Sequence, residues 1–286
     1  MKPKRILIYG SIYLILLTLL ILLITFTITH AADYDPEHSK INTFDISVND
    51  PGQLSLGTLY QYSTTNHHWD THGKTQVRSR FHQHVLGGST NLGLMKDTDI
   101  SIGSNYTIIN DKGSDPEGGQ DFGDIDVTGR YRFYKNDISN VEAGYILGIV
   151  IPAGSASDQN HLGTSQNYYS VNQVLVITKD WGKLTGNIDT GYSITINDQQ
   201  QDSKGVVIAD IAFGYQLNPW FQPEIELNYN HGYFTISDNT NFTAITLGCI
   251  FTVTDKLGIS SGIQQGLFGR NVDKITTIYT YFDYTF

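Results

Sequence analysis

From Gln53 to Phe286 apolar side chains recur at every second position, in segments of about 10 to 14 residues separated by turn-forming residues. Neighbours in an extended strand point to opposite faces, so each segment reads as a strand with one greasy and one polar side. In LSLGTLYQY, Leu54, Leu56, Tyr60 and Tyr62 share a face. In TQVRSRFHQHVL, the pattern sets Val77, Phe81 and Val85 against Arg78, Arg80, His82 and His84. Ile100, Ile102, Tyr106 and Ile108 make a third stripe, and GDIDVTGRYRFY opposes Ile125, Val127, Tyr131 and Phe133 to Asp124, Asp126, Arg130 and Arg132. The stretch 141–151 is as regular, whereas NYYSVNQVLVI is ambiguous in parity. Segments around Ile188, Ile211, Ile225, Leu247 and Ile259 follow, with Glu224 and Glu226 opposite Ile225 and Leu227, and TTIYTYFDYTF closes a set of twelve.

Two further patterns decide what such strands build. Links after odd segments are long and polar, as in PAGSASDQNHLGTSQN; those after even segments are mostly short (KND, KDWG, NPW, TDK), with GGSTNLGLMKDT the exception. Long loops at one end and tight turns at the other mark a transmembrane barrel. The strand charges also take the parity opposite to the apolar set. Lipid-facing Arg or Lys costs about 2–4 kcal/mol at mid-bilayer, while a wet interior tolerates charge. A soluble β-sandwich would have the same alternation with the opposite sense. The expected fold is therefore all-β, a transmembrane antiparallel β-barrel of about twelve strands preceded by an N-terminal signal helix.

Lys2, Lys4 and Arg5 precede an apolar run to about Ile28, then Thr29-His30-Ala31-Ala32. Residues 1–31 thus read as a secretory signal cleaved after Ala31, 32–52 as a periplasmic N-terminal segment and 53–286 as one barrel. A retained membrane anchor is the competing reading of the apolar run. The single cysteine, Cys249, excludes an internal disulfide. A net charge of −10 argues against nucleic acid as a partner.

The terminal Phe286 after alternating aromatics resembles the signal read by the barrel-assembly machinery of Gram-negative outer membranes, which makes that machinery an expected partner. FGDIDVTGRYRF (122–133) and LGIVIPAGS (147–155) resemble motifs of the outer-membrane family of the MetA pathway of phenol degradation, across nearly the whole mature chain. Ala153 stands where that family's pattern has Thr, and Arg130 where Lys is commoner. The resemblance implies an outer-membrane barrel passing small hydrophobic or aromatic compounds, without catalysis or cofactor.

The expected lumen residues are Arg78, Arg80, His82, His84, Asp124, Asp126, Arg130, Arg132, Glu224 and Glu226. They either form opposed charge ladders that select a permeant or pair with one another and fill the interior. His67, His68 and His72 share a loop, yet their spacing matches no zinc pattern. Asp111, Asp115, Glu117 and Asp121 make another loop acidic, as divalent cations beside lipopolysaccharide would favour. Outer-membrane lipid, lipopolysaccharide and a small permeant are the remaining expected partners. A structural or adhesive barrel without conductance is one competing class. A rim hydrolase built on His161 with Ser165, or His231 with Asp238, is another.

Overall fold

The computed structural model describes residues 40–196 and 203–286; the expected signal, 1–31, lies outside them. Fourteen strands follow in order: β1 (Leu54–Trp69), β2 (Thr75–Met95), β3 (Thr98–Asp111), β4 (Gly118–Phe122), β5 (Ile125–Asn136), β6 (Val141–Ile151) and β7 (Tyr169–Trp181). The rest are β8 (Leu184–Ile196), β9 (Ser203–Tyr215), β10 (Phe221–Phe234), β11 (Thr240–Thr254), β12 (Leu257–Arg270), β13 (Val272–Asp273) and β14 (Thr276–Thr285). β4 and β13 are short additions at the long-loop end. The other twelve pair antiparallel with their neighbours, and β1 pairs with both β2 and β14, so the sheet closes. Closure leaves no strand edge unpaired, which a bilayer requires. Phe286 completes the seam by donating its N–H to the Leu54 carbonyl at 2.9 Å.

The outward face carries an aliphatic band of Ile100, Ile102, Leu147, Leu175, Ile188, Leu227, Leu247, Ile263 and Ile278, all exposed. Aromatic residues border it. At the short-turn end these include Tyr131, Phe133, Trp181, Tyr215, Trp220, Tyr284 and Phe286. Nearer the long loops lie Tyr60, Phe122, Tyr169, Tyr192, Tyr229 and Tyr233. Fully buried side chains include Gln222, Glu226, Asn187, Asp99 and Asp189, so polar groups fill the inside. This inversion of a soluble domain is what a lipid solvent selects.

The expected exception among the turns disappears. β2 continues through Gly87, Gly88 and Gly93 to Met95, and the turn is Lys96-Asp97, with Asp97 at φ 61°. Gly93 is required because the backbone of Asp50 passes over it: a Cβ there would lie 1.9 Å from the Asp50 oxygen. The longer strand also corrects the parity of β2. Its outward set is His82, His84, Leu86, Leu92 and Leu94, while Gln83, Val85 and Gly87 face inward opposite Gln61 and Leu59 of β1. The lower half decides the face, since Leu86, Leu92 and Leu94 meet lipid, and the upper half follows.

Of the segment 32–52 expected to be periplasmic, residues 32–39 lie outside the described ones and residues 40–50 run inside the barrel. The segment 40–50 follows the inner wall in the short-turn half, past β11, β10, β8, β7 and β6 to β3, before β1 begins. Ile46 is buried with Ile146, Val174 and Val176, the apolar core of the lumen. That contact explains the ambiguous parity of β7: Val174 and Val176 point inward yet are greasy because they cover Ile46. Gly144 leaves room for it, a Cβ there falling 2.0 Å from Ile46 Cγ1 and 2.8 Å from the Tyr131 carbonyl. Gly144→Val should therefore overpack the contact and destabilise the barrel by about 1–3 kcal/mol, seen as a lower unfolding midpoint in urea.

Candidate functional site: the lumen and its inner strap

Glu226 of β10 anchors the inner segment, hereafter the strap. Its carboxylate accepts the N–H of Ile41 at 2.6 Å, of Asn42 at 2.9 Å and of Thr43 at 3.2 Å. Successive amides around one anion form a nest, and the charge strengthens each bond. Beside it Lys40 Nζ lies 3.4 Å from Glu224, both side chains fully buried. Further along, Phe44 N–H donates to Asp189 at 2.8 Å and Asn49 N–H to Asp99 at 3.1 Å. The strap is thus held by carboxylates from three separate staves.

The expected lumen residues divide into groups. Arg130 grips Asp99 with two bonds of 2.9 and 2.7 Å. Arg132 sits at the short-turn rim, bonded to Asp97 at 2.7 Å and to Glu142 at 3.2 Å. Arg78 lies at the opposite rim, tied to Asp111 at 2.6 Å and to Asp273. Arg78 and Arg80 occupy an irregular stretch of β2 opposite the β1 bulge, which lifts them to the mouth. His82 and His84 do not line the lumen; they belong to the outer face, where Tyr60 Oη lies 3.0 Å from His84 Nδ1. Asp124 stands between β4 and β5 and accepts the N–H groups of Ala153, Gly154 and Gln166 at 3.1, 3.2 and 2.9 Å. It therefore joins the Phe-Gly-Asp and Pro-Ala-Gly stretches, so the two motifs meet in space. Asp126 faces the lumen with Thr164, Gln83 and Asp283 around one cavity.

Sequence reasoning missed the strap, and it underweighted the carboxylates Asp189 and Asp210, which stand directly opposite each other on β8 and β9. Glu224 is matched by Lys40, Asp99 by Arg130 and Glu142 by Arg132. Asp126, Asp189, Asp210 and Glu226 meet no cationic side chain within ion-pair distance among the described residues. Among the described residues, two cavities inside are lined as follows. One of about 500 Å³ is lined by β1, β2, β3 and β14. The other, of about 360 Å³, lies over the strap between Phe44, Val174, Ile208, Asp210, Asn228 and Tyr279.

At the short-turn rim the Arg132 guanidinium, by hydrogen bonding, holds the Asp97 carboxyl below the usual carboxylate range. A depressed folded value stabilises the fold above the unfolded value, and that contribution fades as pH falls through the folded one. Arg132→Met should remove this acid-side dependence, measurable as a flatter profile of urea midpoint against pH below neutrality.

The remaining clusters singled out in the sequence are engaged as follows. His231 bonds Asn241 rather than Asp238 and faces outward beside Tyr233. His161 pairs with Asp158 at 3.2 Å. Among the described residues no group of three His, Cys, Asp or Glu side chains could hold a metal ion. His67 contacts Asn66, and His72 contacts Thr71. Asp111 of the acidic loop is engaged by Arg78.

A closed twelve-stave cylinder with a lipid-type exterior, a charged interior and an N-terminal strap defines a transmembrane antiparallel β-barrel. The chain belongs to the family described as "Putative MetA-pathway of phenol degradation", whose pattern matches residues 95–273. An outer membrane channel from Pseudomonas putida F1 superposes with a TM-score of 0.77 at 15% identity, over 86% of this chain and 100% of that one. The β domain of the Bordetella autotransporter BrkA gives 0.53 at 11% identity, over 83% of this chain and 100% of that chain. The NanC porin gives 0.50 at 13% identity, over 80% and 98% respectively. These likenesses show the fold. No curated protein matches the sequence.

Proposed function

We propose that this barrel is a passive channel of a Gram-negative outer membrane for small molecules with an apolar or aromatic body. The observation that carries the reading is the cavity over the strap. Phe44, Val174, Ile208 and Tyr279 offer apolar and aromatic surface there, and Asp210 and Asn228 offer polar contacts within the same wall. A site that is mostly apolar with a few placed polar groups suits a small amphiphilic ligand. The long loops face outward from the cell in this reading and the strap enters from the periplasm. Transport is downhill, driven by the solute gradient. Assembly would use the terminal strand that Phe286 ends, delivered by the barrel-assembly machinery.

Liposome swelling tests the substrate class. Aromatic solutes of small size should enter faster than sugars of similar mass, and Ile208→Asp should reduce the difference. Equal rates for both solutes would refute it. One observation favours a second reading, a structural barrel without conductance: the strap occupies the short-turn half of the lumen. Absence of both conductance and swelling from folded, reconstituted protein would select that alternative.

A further inference from the structure

A cleft of about 500 Å³ opens at the long-loop rim where β2, β1, β14 and β12 meet, with Arg80, Lys274 and His67 in its walls beside Thr64, Thr276 and Gln265. The register fixes where this cleft stands relative to the bilayer. Across the outer face Ile263, Ile278, Tyr62, His84 and Ile108 align as one row. The next row toward the long loops is Gln265, Thr276, Thr64, His82 and Asn110. Apart from His84, the surface therefore changes from aliphatic and aromatic to hydrogen-bonding between one row and the next, as at a boundary between acyl chains and headgroups. Three of the cleft's walls, Gln265, Thr276 and Thr64, belong to that first polar row.

The charges there are arranged unusually for this chain, whose net charge is −10. Among the described residues no carboxylate lines the cleft. Arg78, two residues before Arg80, is engaged by Asp111 and Asp273, whereas the Arg80 side chain meets no partner among the described residues. The Lys274 ammonium lies 5.7 Å from the centre of the Trp69 ring, a contact that holds its charge at the rim without neutralising it. We infer that this cleft is a binding site for the phosphate group of a membrane lipid headgroup, of the kind a phosphorylated glucosamine lipid presents. Arg80 supplies a planar pair of donors to phosphate oxygens, Lys274 a point charge, and the threonine hydroxyls neutral donors. Acyl chains of the same lipid would run down over Ile278 and Tyr62. The site is independent of what passes through the lumen.

Native mass spectrometry of the full, folded barrel in detergent tests this with three probes: bisphosphorylated lipid A, the same lipid with its phosphates removed, and inorganic phosphate. Bisphosphorylated lipid A should be retained and the dephosphorylated form lost. The double variant Arg80→Gln/Lys274→Gln should bind the phosphorylated lipid about tenfold more weakly or worse, the loss of charge-assisted bonds to phosphate. Lys96→Gln, at the opposite rim, should bind as the parent does. Equal retention of both lipids by the parent barrel, a comparison needing no variant, would overturn the inference. So would a double variant that binds within about twofold of the parent. Inorganic phosphate binding as tightly as the lipid would assign the cleft to a soluble anion instead and sink the lipid assignment.

Discussion

Deleting residues 40–48 should raise single-channel conductance several-fold in planar bilayers. The strap's bonds run to Glu226, Asp189 and Asp99 on β10, β8 and β3, so it spans much of the inner circumference of the short-turn half. Its removal widens the path where Lys40, Ile41 and Ile46 are now buried. A point variant separates anchoring from bulk. Glu226→Ala leaves the amides of Ile41, Asn42 and Thr43 without their acceptor. Each buried donor left unpaired costs about 1–3 kcal/mol. The strap should then detach part of the time, and the channel should flicker between the parent level and the level of the deletion. If the deletion conducts as the parent does, the strap does not limit flow and the path runs along the other cavity, by β1, β2, β3 and β14.

The second large effect concerns charge. Reconstituted protein in a salt gradient should show a reversal potential of cation preference, because Asp126 and Asp210 line the two cavities without a basic partner among the described residues. Charged side chains lining a pore select the opposite ion. Asp126→Asn/Asp210→Asn, measured above neutral pH, should move the reversal potential most of the way to zero. The preference should fade in concentrated salt, since the screening length falls from about 10 Å at 0.1 M to about 3 Å at 1 M. An anion-preferring channel, or a double variant with unchanged selectivity, would show that the Arg130 and Arg132 side dominates the field instead.

These two predictions draw on different kinds of information. Asp126 could be placed on the lumen side from alternation alone, because GDIDVTGRYRFY offers no competing face. Glu224 and Glu226 were legible for the same reason. The parity of His82 and His84 was not, because the window ended at Leu86 and the glycines beyond it read as a loop. Leu92 and Leu94, on the same parity as Leu86, carried the signal that settles the face. Asp124, expected in the lumen, stands as the acceptor that ties a loop to the wall. The strap was not legible because the alternation of Phe44, Ile46 and Val48 is only three positions long, and its bonds to Glu226 and Asp189 join residues more than 140 positions apart.

By itself the sequence determined that most staves carry one greasy and one polar face, that there are about twelve of them, and at which end the long links lie. Those follow from local rules, a period of two and the cost of charge in hydrocarbon, which act residue by residue. Only the tertiary structure decided which charges are matched, where the arginines stand along the axis, and that residues 40–50 lie within the cylinder. Ion pairing and strap anchoring depend on which distant strands closure brings across from one another, and no local pattern along the chain encodes that distance.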